Sequence, residues 1–253
     1  MKRAFIVTSS LEVDPTKNFK GTSVRSVFTT DQRLEQTKST LQNLYQLDPM
    51  ADVILVDSSP TTFENELKAP NLKYIQLEQT NPKIAEVIRT HSNKSHCECL
   101  MLLDLLRNFK STLKSYDFLI KFSGRYLIEK ETYSTYIYNT SYLNKYFFKN
   151  PMDWDHTQFD HMRDAYPEEM IVDNRLRGHY TVAYGFGNQK IDHFEALMAL
   201  CAFYTDLESK MYDLDIEYII YHFMNLFDQN KDVITVPWTV TGRCGVTGKG
   251  YRF

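Results

Sequence analysis

Four apolar runs, each closing in polar residues, set the fold class of the first 126 residues. Residues 3–7 form a short buried run ending in Thr8-Ser9-Ser10. Val53-Ile54-Leu55-Val56 is continuous and ends in Asp57-Ser58-Ser59-Pro60. Leu72 to Leu77 is the third run, and Tyr116 to Ile120 leads into Lys121-Phe122-Ser123-Gly124-Arg125-Tyr126. Runs apolar on both faces are what a parallel sheet buries under helices. Helical stretches separate them. Thr29 and Gln32 are spaced as a capping box, and Leu34, Leu41, Leu44 and Tyr45 follow on one helical face up to Pro49. A second helical region is expected over 83–108, broken near 91–94. The order strand, helix, strand, strand, helix, strand predicts an α/β fold with a mixed, mainly parallel central sheet flanked by helices. Ligands of such sheets sit outside the carboxyl ends of the strands, so the three polar clusters at 8–10, 57–59 and 121–126 are expected to share a cleft.

The second half is less regular. Strands are expected at 146–148, 180–186 and 233–239, and helices at 190–207 and 214–227. No linker or repeat divides the 253 residues, so one domain is expected, with 1–128 as a nucleotide-binding half and 129–253 as an acceptor-side half. The net charge of -3 argues against a general affinity for nucleic acid. No run approaches the roughly 18 apolar residues of a membrane span. The apolar stretch after Met1-Lys2-Arg3 is too short for a signal peptide, so a cytoplasmic location is expected, with the host cytoplasm for a viral source. The cysteines Cys97, Cys99, Cys201 and Cys244 fit no zinc spacing and are expected as thiols.

Four features carry chemistry. Lys121 and Arg125 flank a Ser123-Gly124 turn directly behind a buried strand, where charge-assisted bonds to phosphate oxygens are natural. A plain basic turn is the alternative. Glu217 lies in an otherwise apolar helix; such a carboxylate is either ion-paired or carries the raised pKa a general base near neutral pH needs. Asp153-Trp154-Asp155 is a carboxylate pair of the kind that holds Mg²⁺ or Mn²⁺ against a pyrophosphate, with His156, Asp160 and His161 nearby, but it lies away from the core strands and is expected in a solvated loop. The tail Gly242 to Lys249 fails as a P-loop, since the spacing is one residue too long and no helix follows; turns, or a basic tail closing over a ligand, are expected instead.

Several of these pieces resemble the GT-A glycosyltransferases. They are the first strand with Thr8, Ser9 and Ser10, the helix with Arg33, Gln36, Thr37 and Ser39, and the strand ending in Asp57, Ser58 and Ser59. Asn93-Lys94-Ser95-His96-Cys97-Glu98 is similar to a K-S-x-x-E helix of a bacterial and viral group of that class, as are Ile216 to Tyr221 and the Val240 to Gly248 tail. The resemblance implies a nucleotide-sugar donor, a glycan or other hydroxyl acceptor, and sugar transfer between them. It implies donor contacts from Thr8, Ser9, Ser10, Arg33, Asp57, Ser58, Lys94, Ser123, Gly124 and Tyr126, with Glu217, Arg125 and Lys121 as catalytic groups. The departure is that Lys121-x-Ser-Gly-Arg125-Tyr126 stands where the class carries D-x-D. No metal cofactor is therefore expected, Lys121 and Arg125 taking over the leaving diphosphate; Mn²⁺ or Mg²⁺ on Asp153 and Asp155 is the alternative.

Two other functions stay open at this level. A sugar nucleotidyltransferase would need a glycine-rich loop after the first strand, and no glycine occurs before Gly21. A non-catalytic carbohydrate- or nucleotide-binding protein would explain the missing D-x-D. Oligomeric state is not encoded in any of these features.

Overall fold

The computed structural model describes the chain apart from residues 20–21, 134, 156–170, 173–174, 209–214, 246 and 253. Strands β1 (Arg3–Ser9), β2 (Asp52–Asp57), β3 (Leu72–Gln76) and β4 (Phe118–Ser123) form a parallel block in the order β4-β1-β2-β3. Strand β10 (Ala183–Gly187) runs antiparallel to β4 and to β6 (Tyr146–Phe148), and β11 (Val233–Thr235) lies parallel to β6. The seven-stranded sheet is thus mixed and mainly parallel, as expected. Its register aligns the ends that matter: Ser9 pairs with Asp57 and Thr8 with Ser123.

Strand alternation divides the core between the two faces of the sheet. Ala4, Ile6, Ile54, Val56 and Leu119 pack with α4 (Lys94–Asn108), α6 (Ile191–Glu208) and α7 (Ile216–Leu226). Phe5, Val7, Val53, Leu55, Phe118, Ile120 and Phe122 pack with α1 (Thr30–Leu47) and the fully buried Trp238. Short helices α2 (Leu77–Thr80), α3 (Pro82–Thr90) and α5 (Lys110–Lys114) complete the order. Among the described residues no helix is long and apolar enough to cross a membrane.

Local chemistry explains the boundaries. The Thr29–Gln32 capping box opens α1. The helical region expected over 83–108 is two helices, because Asn93 caps a new start by accepting the His96 amide at 3.0 Å. Strand β4 runs on to Ser123, beyond the expected end at 120, since Lys121 and Phe122 pair with both β1 and β10. Strand β11 stops at Thr235, short of 239: Val236 still donates to the Phe148 carbonyl at 2.8 Å, but Pro237 has no amide to offer.

Two expectations are corrected outside the main sheet. The glycine-rich tail is a hairpin of β12 (Val240–Arg243) and β13 (Gly250–Arg252), joined to β5 (Tyr126–Ile128). The pair Asp153-Trp154-Asp155 lies within strand β7 (Met152–Asp155), in a small antiparallel sheet with β9 (Arg175–Gly178) and β8 (Ile171–Val172), where a loop was expected. His156, Asp160 and His161 lie outside the described residues.

Gly242 makes the tail hairpin possible. A Cβ there would sit 2.3 Å from Tyr126 Cδ1 and 2.7 Å from the Arg125 carbonyl oxygen. Gly242→Ala should therefore lower stability by about 1–3 kcal/mol in thermal denaturation. Gly250→Ala, in the same hairpin with nothing within 4 Å of its Cβ, should leave the melting temperature unchanged.

Candidate active site

The carboxyl ends of β1, β2 and β4 open into a cleft of about 350 Å³, within the range of small-molecule sites. Thr8, Ser9, Ser10, Ser58, Ser123 and Gly124 form its sheet-side wall, with Arg33, Lys94, Arg125 and Tyr126 among them. Glu98, Thr181, Asp215 and Glu217 face them from α4, the β10 approach and α7. All but two of the catalytic and donor-side residues expected from the sequence therefore lie along it.

The turn after β4 is locked from α1. Thr37 Oγ1 donates to the Gly124 carbonyl and Thr40 Oγ1 to that of Tyr126, each at 3.0 Å. The Gly124 amide reaches the Thr8 carbonyl at 3.0 Å. A Cβ at Gly124 would meet Ser9 and the Thr8 oxygen at 3.2 Å, so glycine lets the two strand ends touch. This geometry presents Arg125 to the cleft. Its Nε is buried without a hydrogen-bond partner, and the backbone at Gly245 lies against the guanidinium, where a Cβ would come within 2.9 Å. Burial pulls the Arg125 pKa down from its ordinary value.

Arg33, on α1, is 5% exposed and among the described residues bonds neutral groups, the Ser10 carbonyl and Ser26 Oγ. Burial first, and then the charge of Arg125, hold its pKa well below the usual range. Two guanidiniums whose charge burial opposes, without a carboxylate hydrogen-bonded to either among the described residues, make a strongly anion-seeking wall. Lys94, at the first turn of α4, adds an accessible ammonium. Desolvation opposes its charge most strongly, but Glu98 one turn on, together with Tyr126 and Glu217, leaves its pKa raised.

Asp57 and Lys121 do not line the cleft, and both expectations are corrected. Asp57 is fully buried, its carboxylate taken up by the Leu11 amide (3.1 Å), Ser59 Oγ (2.8 Å) and the Tyr74 hydroxyl (2.8 Å). It ties together the loops after β1 and β2. Lys121 points into the α4 face of the sheet with no exposure. Its ammonium pairs with Glu98 and donates to the Thr181 carbonyl (2.8 Å) and Ser123 Oγ (3.1 Å). Of the Lys121–Arg125 pair, only Arg125 remains available to a ligand.

The K-S-x-x-E segment divides its work among three residues. Lys94 faces the cleft, and Glu98 joins Lys121 to the cleft wall. Ser95 Oγ accepts the Ile216 amide at 3.2 Å, capping α7 from another helix, since the Asp215 side chain makes no cap bond. Glu217 stands in the first turn of α7 and accepts a hydrogen bond from Thr181 Oγ1. Burial, then Asp215, raises its pKa to about 7, against the lowering pull of Thr181. It is thus divided between protonated and ionised forms near neutral pH. Sequence reading missed Glu98, Thr181, Arg25 and Arg89 as lining residues. The i, i+4 spacing of Lys94 and Glu98 was the one available signal.

No protein-family model and no curated protein sequence matches this chain. Solved structures do resemble it. Core-mannan synthase A from Aspergillus fumigatus, in a form with Mn and GDP, superposes with a TM-score of 0.55 over 95% of this chain and 74% of that one, at 11% identity. A 4-diphosphocytidyl-2C-methyl-D-erythritol synthase from Anaerococcus prevotii covers 98% of this chain and 92% of its own, with a TM-score of 0.44 and 13% identity. The first likeness shows a shared fold, with the central α/β sheet the sequence pattern predicts.

The raised Glu217 pKa has a signed consequence. A carboxyl of folded pKa about 7 and ordinary unfolded pKa adds stability fully at pH 4, and loses it as pH rises through 7. Glu217→Gln removes that loss. The variant should gain on the order of 2 kcal/mol relative to wild type between pH 5 and pH 8, read from chemical denaturation at both pH values. An equal effect at the two pH values would mean Glu217 titrates normally.

Proposed function

We propose that the protein is a glycosyltransferase that moves a sugar from a nucleotide-diphosphate donor to the hydroxyl of a glycan or other acceptor. The observation that carries this reading is the pairing, within one cleft, of an anion-seeking wall with a carboxyl poised near pH 7. The fold shared with a core-mannan synthase supports the same class. The donor's diphosphate lies against Arg33, Arg125 and Lys94, with Thr8, Ser9, Ser10, Ser58, Ser123, Gly124 and Tyr126 around it. Residues 1–128 thus supply the donor side and 129–253 the acceptor side.

Transfer needs two things from the protein. Charge grows on the leaving diphosphate as the glycosidic bond breaks, and fixed cations in a water-poor cleft stabilise it. The acceptor hydroxyl must lose its proton, and ionised Glu217 takes it, with Thr181 holding the carboxylate in place. The fold's metal-dependent members invite comparison here. The residues do not fit a divalent ion at the end of β4: Lys121 and Arg125 bring positive charge there, and Glu98, the nearby carboxylate, is already paired with Lys121. No step is assigned to a metal.

Arg125→Ala should weaken nucleoside-diphosphate binding and slow transfer together, by roughly thirty- to thousand-fold, or about 2–4 kcal/mol. Lys at this position should restore part of the loss, as it lacks the bidentate fork. Calorimetry against GDP and UDP, and transfer assays from their sugars before and after exhaustive chelation, provide the check. Activity abolished by EDTA and restored by Mn²⁺ would overturn the cationic wall and return attention to Asp153 and Asp155.

A further inference from the structure

Behind the cleft wall, three side chains from separate segments meet: His91 after α3, His96 on α4 and Asp206 near the end of α6. One ligand-capable atom from each lies within 4.8 Å of the others. We infer that His91, His96 and Asp206 form a binding site for a transition-metal dication of the zinc class, clasping α6 to the α3–α4 junction.

The geometry is that of a closable site. His91 Nε2 stands 3.4 Å from an Asp206 carboxylate oxygen. Two ligands about 2.1 Å from one tetrahedral ion are themselves about 3.4 Å apart. The His rings lie 4.1 Å apart between centroids. His96 is buried and oriented from outside the cluster: its Nδ1 sits 3.0 Å from the Ala202 carbonyl and 3.2 Å from Thr205 Oγ1. A ring that donates Nδ1–H to a carbonyl carries its lone pair on Nε2, which is how metal-binding histidines are commonly fixed. Asp206 is the exposed member, so the ion has a way in. Two imidazoles and one carboxylate, with solvent completing the shell, suit Zn²⁺ and Co²⁺ better than Mg²⁺ or Ca²⁺.

Loading has a local consequence. His91 Nδ1 accepts the Asn93 amide at 3.1 Å, so the neutral ring keeps its proton on Nε2. An ion on Nε2 shifts that proton to Nδ1 and opens the Asn93 contact. Asn93 caps α4, and Lys94 follows it into the cleft. Arg25, whose guanidinium holds the His91 carbonyl at 2.9 Å, lines the same cleft. Occupancy is thus coupled to the wall that carries Lys94, although the site itself does not depend on the activity proposed above.

The test uses the full chain, stripped of metal. Zn²⁺ titration by calorimetry, and Co²⁺ titration by visible absorption, should show one equivalent bound, with the intense bands of low-coordinate Co²⁺. Asp206→Asn and His91→Gln should each weaken binding at least tenfold while the far-ultraviolet dichroism stays native. Asp206 is exposed, so its variant keeps the test interpretable even where His91→Gln loosens the loop. No stoichiometric binding, or one equivalent retained at unchanged affinity in Asp206→Asn and His91→Gln, would overturn the site.

Discussion

The Lys121 ammonium is fully buried at the end of the central strand β4, and the cleft is built around satisfying it. A charge taken out of water costs several kcal/mol unless it is paired and hydrogen-bonded. Lys121 meets that demand with one carboxylate, one carbonyl and one hydroxyl from three different segments: Glu98 of α4, Thr181 before β10 and Ser123 of β4 itself. Each of these partners also lines the cleft. Thr181 then donates its own hydroxyl to Glu217. A single internal cation thereby fixes the distance between the helix that carries Lys94 and the helix that carries Glu217.

The opposite wall is held by neutral contacts. Thr37 and Thr40 sit on the buried face of α1, where apolar residues would serve packing better, and spend their hydroxyls on the carbonyls of the Gly124 and Tyr126 turn. The tail hairpin closes over the same turn at Gly242 and Gly245. Arg125 thus lies against the tail at Gly242 and Gly245 and is left without an ion pair among the described residues. The cleft separates its charges in this way: Lys121 is ion-paired and Asp57 hydrogen-bonded inside the framework, while Arg33, Arg125 and Glu217 remain for a ligand.

Much of the framework could be read from the chain. The apolar runs gave the parallel block, the Thr29–Gln32 pair gave the start of α1, and the polar strand ends marked the cleft. Those are local signals, set by periodicity and by residues a turn or a strand apart. Two of the polar groups were assigned the wrong neighbours. Asp57 and Lys121 follow or end buried runs just as Ser58 and Arg125 do, and nothing nearby in sequence marks which of them turns inward.

Sequence by itself determined the class of fold, the order of the parallel strands' polar ends and the candidacy of Glu217 and Arg125, because hydrophobic period and chain direction act over a few residues. Tertiary structure alone decided which charges are free. Lys121 is claimed by Glu98, 23 residues earlier, and α7 is capped by Ser95, 121 residues before Ile216. The tail hairpin lies against β5 because at Gly242 Tyr126 and the Arg125 carbonyl leave room only for backbone. The His91, His96 and Asp206 cluster likewise exists only once α6 packs on α4. Burial and pairing are properties of surroundings, and the surroundings of these residues come from segments far away along the chain.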